Sequence, residues 1–230
     1  MLEQMLLWER DLFLELNGSS YGFLDRFMYL YSGKVVWLPL LAFIVLAIAY
    51  KRNWKQTVLF LLCVALAITL CDQFASHLCK HYFMRFRPTH HPDFEAVVKT
   101  VFGYRGGLYG FISSHAANSF GFAMFSILVF RNKLFTFTIL VWALINVYSR
   151  VYLGVHFITD IIFGTLAGVV FGVLVYYLYV LLEKKWLNNA TPYSTVYSAK
   201  IVNYISLATW ITMLLIIVFN RGLVSLLLNS

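Results

Sequence analysis

The chain has 230 residues, 61% of them hydrophobic and 12% charged, with a mean hydropathy of +0.76 and a formal net charge of +8. Ordinary soluble domains run about 45–50% apolar and about 25% charged, so this composition excludes a soluble globular domain, disorder and a small disulfide scaffold, and predicts a membrane protein. Charges in so apolar a chain belong at bilayer surfaces or around a polar cavity, and acidic headgroups or phosphates are their natural partners. Nucleic acid is not expected, because no DNA- or RNA-binding module and no long basic run is present. Cys63, Cys71 and Cys79 are spaced by eight within one apolar segment and read as small buried hydrophobes.

The first element, Met1 to Asn17, mixes Glu3, Glu9, Arg10, Asp11 and Glu15 with apolar residues at helical spacing. It reads as an amphipathic interfacial helix, and residues 1–33 as an interfacial segment with a turn at Asn17-Gly18-Ser19-Ser20 and a second amphipathic piece around Phe23 to Tyr31. Six stretches then read as spans: about 34–50, 57–78, 110–130, 134–150, 157–182 and 202–220. The expected fold is therefore all-α, an integral membrane six-helix bundle with an N-terminal amphipathic interfacial helix, in a single domain covering 1–230. Lys51-Arg52-Asn53-Trp54-Lys55, Arg131-Asn132-Lys133 and the segment opening Glu183-Lys184-Lys185 are basic connections. The positive-inside bias puts them in the cytoplasm, which leaves the loop 79–109, the turn 150–156 and both termini on the outer side. Gly164, Gly168 and Gly172 recur every four residues on the fifth span and suit close helix packing within the chain.

Most of the titratable residues outside the basic connections gather at the outer ends of four spans. Lys80 and Arg87 stand seven apart and would share a face if the second span continued outward, with Pro88 ending the helix at Arg87. An ammonium and a guanidinium together suit a phosphate. Ser113 and Ser114 open the third span, where hydroxyls and free backbone N–H groups can cradle an anion within reach of His115. His156 and Asp160 are four apart at the start of the fifth span. On a helix, the carboxylate could accept from one imidazole nitrogen and leave the other free to attack. Asp72 and His77 either support this site or pair with a neighbouring helix. The glycine-rich stretch 103–110 is a candidate lid, and His90-His91-Pro92-Asp93 reads as a solvated loop tip, with a metal cluster as the alternative.

Together these stretches resemble the type 2 phosphatidic acid phosphatase superfamily, whose signature reads Lys-x6-Arg-Pro, Pro-Ser-Gly-His and Ser-Arg-x5-His-x3-Asp. Lys80, Arg87 and Pro88 match the first part; Ser149, Arg150, His156 and Asp160 match the third. The middle part keeps Ser113 and His115 but has Ile112 for Pro and Ser114 for Gly. The resemblance implies a phosphatase in which His156 is the nucleophile forming a phospho-histidine, Asp160 orients it and His115 protonates the leaving oxygen. Lys80, Arg87, Ser113, Arg150 and backbone near Ser114 would hold the phosphoryl oxygens, with no metal and no cofactor. The expected substrate is a membrane lipid phosphate, lipid A phosphate or undecaprenyl diphosphate. A phosphatidylglycerol phosphate phosphatase is the alternative, as is a non-catalytic lipid-binding or transport protein that kept the anion site. The expected location is the bacterial inner membrane, multi-pass, with the site facing the periplasm or outside.

Overall fold

The computed structural model describes residues 2–19, 21–50, 53–187 and 197–228, so Lys51 and Arg52 of the first basic connection, and Met1, lie outside the described residues. Nine α-helices are described: α1 (Leu2–Leu16), α2 (Gly22–Ser32), α3 (Leu38–Ala49), α4 (Trp54–Asp72), α5 (Lys80–Phe83), α6 (Ser114–Phe130), α7 (Lys133–Tyr152), α8 (Ile158–Leu187) and α9 (Ala199–Leu228). A π-helical stretch, Gln73–Cys79, joins α4 to α5 without a break. The only β pairing among the described residues is an isolated bridge between Phe86 and Tyr109, so the chain is all-α as expected.

Among the described residues, four helices are long and apolar enough to cross a membrane: Trp54–Phe83, Lys133–Tyr152, Ile158–Trp186 and Ala199–Leu228. The first expected span differs from its reading. Its helix forms a pair with α2, bent by 70° at Gly33 and Lys34, and the two halves together would make a fifth crossing. The hydropathy peak begins only after Lys34, which is why the preceding half read as an interfacial piece instead. The buried face of α2, with Phe27, Leu30 and Tyr31, packs on Met213, Ile216 and Val224 of α9. The third expected span is also shorter than its reading, because residues 110–113 are not helical and α6 begins at Ser114. Its 17 residues cover roughly 25 Å at the α-helical rise, a little less than a hydrocarbon core.

The contact that builds the site is between α6 and α8. A Cβ added at Gly164 would stand 2.6 Å from the Ser113 carbonyl oxygen, one at Gly168 2.4 Å from that of Ala117, and one at Gly172 2.7 Å from that of Gly121. The three glycines therefore pack within the chain, letting the α6 backbone lie directly on α8, where dispersion between close surfaces supplies association that the hydrophobic effect cannot give in lipid. At the top of this seam the Ser113 N–H donates to the Asp160 carbonyl at 3.0 Å. That bond fixes the first turn of α6 against the first turn of α8.

Candidate functional site

A cavity of about 440 Å³ opens at this end of the bundle, and Lys34, Lys80, Arg87, Ser114, His115, Arg150 and His156 are among the residues that line it. Six of these seven were read from the sequence as site residues. Lys34, in the break between α2 and α3, was not.

His156 lies in the turn Leu153–Phe157 between α7 and α8, and its side chain is 1% exposed. It precedes the helix instead of standing within it, which corrects the expected helical pair. Asp160, in the first turn of α8, reaches back: its Oδ2 accepts the Phe157 N–H at 3.0 Å and lies 3.3 Å from His156 Nδ1. A carboxylate that accepts a backbone N–H at a helix start is stabilised there by the free amides and the helix dipole. Bound so, it keeps His156 with Nδ1 as the donor and Nε2 as the acceptor. Nε2 takes a hydrogen bond from Arg87 Nη1 at 3.1 Å, and the same Nη1 donates to the Val155 carbonyl at 3.0 Å. Burial and the charges of Arg87, Arg150 and Lys80 hold the imidazole well below its ordinary value of 6.5, so the ring is neutral and its lone pair available at neutral pH.

Lys80 and Arg87 converge without sharing a helix face. Met84, at φ 43° and ψ 32°, ends α5 in the left-handed region, and Arg87 at φ −68° and ψ 156° is extended, as Pro88 demands of its predecessor. The Arg87 N–H donates to the Leu108 carbonyl and the Gly110 N–H to the Arg85 carbonyl, pinning residues 85–87 to residues 108–110. Gly110 is required there, since a Cβ would meet Asp160 Oδ2 at 3.0 Å and Arg87 Cγ at 3.2 Å. Burial, then the charge of Arg150, pushes Arg87 down to about 10, which leaves it a cation at neutral pH.

Lys80 Nζ donates to Ser114 Oγ at 2.7 Å, and Ser114 Oγ lies 2.9 Å from Ser76 Oγ, which donates to Asp72 at 3.3 Å. Asp72 thus reaches the cavity, whereas His77 does not line it and stacks on His81 with ring centroids 6.0 Å apart. Ser113 is fully buried and caps α6, its Oγ accepting from the Ala116 N–H at 3.4 Å. Its hydroxyl does not line the cavity, and Ser114 is the serine that does. Arg150 donates to Ser32 Oγ and, at 3.0 Å, to the Tyr104 hydroxyl. Burial raises the Tyr104 phenol, but the charge and hydrogen bond of Arg150 outweigh it and leave the group below its ordinary value of 10.

Sequence reasoning missed the support behind Asp160. Arg85 Nη1 donates to Asp160 Oδ1 at 2.8 Å and to Thr159 Oγ1 at 2.6 Å, while Nη2 donates to Glu9 of α1. Glu9, 0% exposed, also accepts the Thr159 N–H at 2.9 Å. Arg85 is therefore neutralised by two carboxylates from different helices, and its guanidinium lies 4.5 Å over the Phe157 ring. His90 and His91 lie in the loop after α5 and do not line the cavity, and no cluster of three metal-ligating side chains occurs among the described residues.

The arrangement can bind a dianion among Lys80, Arg87, Arg150 and Lys34, attack it from His156 Nε2, and exchange a proton with it through His115. A sequence model of the PAP2 superfamily matches residues 57–184. A lipid A 4'-phosphatase of Porphyromonas gingivalis is 44% identical over 191 residues, covering 83% of this chain and 81% of that protein. A lipid A 4'-phosphatase of Bacteroides thetaiotaomicron is 37% identical over 179 residues, covering 77% of this chain and 80% of that protein. In fold, the chain is similar to the crystal structure of a transmembrane PAP2 type phosphatidylglycerolphosphate phosphatase from Bacillus subtilis, with a TM-score of 0.55 at 21% identity over 80% of this chain and 88% of that one. The chain belongs to the PAP2 superfamily.

Proposed function

We propose that the chain is a lipid A 4'-phosphatase, a phosphoric monoester hydrolase that acts through a phospho-histidine at position 156. The observation that carries the reading is the poise of His156: Nδ1 held by Asp160, Nε2 directed at a guanidinium inside a cationic cavity. Binding alone does not need an oriented, neutral imidazole at the anion site, so this arrangement favours turnover over a transport or lipid-binding role. The choice of lipid A phosphate over undecaprenyl diphosphate or phosphatidylglycerol phosphate is supported by the two relatives above.

In the proposed cycle the phosphate displaces the Arg87–Nε2 hydrogen bond and takes Arg87, Lys80 and Arg150 as partners for its oxygens. Nε2 attacks phosphorus in line as the bond to the lipid oxygen breaks, and His115 gives that oxygen its proton. Water then attacks phosphorus, losing its proton to His115, and the P–N bond breaks to release inorganic phosphate. The clustered cations stabilise the equatorial oxygens in both steps. Ser113 acts through its cap, by holding the α6 backbone N–H groups at the cavity. Residues 1–230 form one domain of six spans, the bent pair and α6 joining the four long helices. The N-terminal helix α1 lies at the outer interface of the inner membrane, with the site facing the periplasm.

Purified protein in proteoliposomes with bisphosphorylated lipid A tests this. Mass spectrometry is expected to show one phosphate lost from the distal sugar, with His156→Ala inert. No loss from lipid A, or faster release from undecaprenyl diphosphate, would overturn the substrate assignment.

A further inference from the structure

Among the side chains of the cavity that have no place in that cycle are two amides. Asn118 and Asn146 both line it, Asn146 is 7% exposed, and the Oδ1 of each is shut off from solvent with no hydrogen-bond partner. A buried amide left unpaired costs stability, so each such group in a membrane helix calls for a reason. Their positions supply one. Asn118 stands three residues after His115 on α6, which runs inward from the site; Asn146 stands four before Arg150 on α7, which runs toward it. Each shares a face with a phosphate-site residue and lies deeper along the helix, by roughly 4.5 Å for Asn118 and roughly 6 Å for Asn146.

Below the amides the lining turns apolar. A cleft of about 410 Å³ shares Lys34, Trp37, Asn118, Ser119 and Trp142 with the polar cavity and continues past Phe60, Val64 and Ile205. Apart from Lys34, which lines both, the order from the outside inward is cations, then two amides, then hydrocarbon. A lipid phosphate seated with its ester at His156 would place the groups on its first carbons at the amides and its chains in the cleft.

We propose that Asn118 and Asn146 form a hydrogen-bonding subsite for hydroxyl or amide N–H groups on the lipid backbone next to the phosphate, and so select lipids that carry such donors over diacylglycerol phosphates. A diacylglycerol phosphate offers only ester oxygens at this level. These can accept from the asparagine Nδ2 groups but leave each Oδ1 without a donor. An N-acylated, hydroxylated backbone satisfies both once each amide turns about its Cβ–Cγ bond and brings the Oδ1, enclosed in the free protein, to the cavity. The proposal deepens the phosphatase reading and rests on it for the position of the phosphate.

Ceramide 1-phosphate and phosphatidic acid of matched chain length isolate the donors, since both are two-chain phosphate monoesters. In detergent, the wild-type protein is expected to show a higher kcat/KM on ceramide 1-phosphate. The Asn118→Leu/Asn146→Leu double variant is expected to lower the ratio of the two lipids by about tenfold, the scale of two neutral hydrogen bonds. Because the amides lack partners in the free protein, the double variant is also expected to melt within a few degrees of wild type. A wild type that prefers phosphatidic acid, a ratio the variant leaves unchanged, or a melting point that collapses on substitution would overturn the subsite. Binding of both lipids to the His156→Ala variant, followed by tryptophan fluorescence, separates the two readings. Preferential binding of ceramide 1-phosphate, lost with the asparagines but accompanied by no turnover in the wild type, would uphold the subsite and sink the phosphatase. Turnover with no preference would do the reverse.

Discussion

His156 and His115 face one cavity and are held in opposite ways. Both ring nitrogens of His156 are engaged, one by Asp160 and one by Arg87, and Asp160 is held in turn by Arg85, the Phe157 N–H and, through Arg85, Glu9. His115 is half-buried at the start of α6 and makes no side-chain hydrogen bond to another described residue. The difference fits the two tasks proposed for them. A nucleophile has to meet phosphorus in line within a few tenths of an ångström, which rewards a locked ring. A group that gives a proton to one oxygen and takes it from another needs freedom to follow them.

The largest expected effect follows from removing the locked ring. His156→Ala should lower kcat on a lipid phosphate by at least about a thousandfold, because no other nucleophile in the cavity is oriented by a carboxylate. Steady-state phosphate release checks this, and appreciable residual turnover would assign the attack elsewhere. His115→Ala should cost about a hundredfold on a lipid alkoxide leaving group and much less on a lipid diphosphate, whose leaving phosphate needs less protonation. Equal losses on the two substrates would remove its role as acid.

Smaller effects should come from the supports. We expect Glu9→Gln and Arg85→Lys each to lower kcat by about tenfold with little change in KM, since both act on Asp160 and neither touches substrate. The double variant should lose little more than the worse single one, because both belong to one network. A rise in KM without loss of kcat would instead place Arg85 on the phosphate. The smallest effect is predicted for a chelator such as EDTA, which should leave phosphate release within about twofold, the cations of the chain supplying the charge stabilisation. Restoration of lost activity by added magnesium would contradict that.

The residues proposed to meet the reacting group were legible because chemistry restricts them to few types at fixed local spacing: Lys80 and Arg87 before Pro88, His115 behind serines, Arg150, His156 and Asp160 in one run of eleven. Their supports were not legible. Glu9 is one of four acidic residues on α1, and nothing local marks it as the partner of Arg85, 76 residues away. Ser32 and Tyr104 reach Arg150 across 118 and 46 residues for the same reason. The spacing of Lys80 and Arg87 led to the right juxtaposition through the wrong geometry. The left-handed turn at Met84 and the backbone bonds to residues 108–110 bring the two together, and neither leaves a periodic trace. The broken first span was hidden because Gly33 and Lys34 read as the edge of a hydropathy peak, when the chain uses them as a bend that places Lys34 at the cavity.

The covalent step is the claim on which the contrast between the two histidines depends. Rapid acid-free quenching of the wild-type protein with a ³²P-labelled lipid phosphate should trap a base-stable, acid-labile label that maps to His156 and is lost in His156→Ala. Turnover that proceeds with no trapped label, or a label on any other residue, would contradict the account.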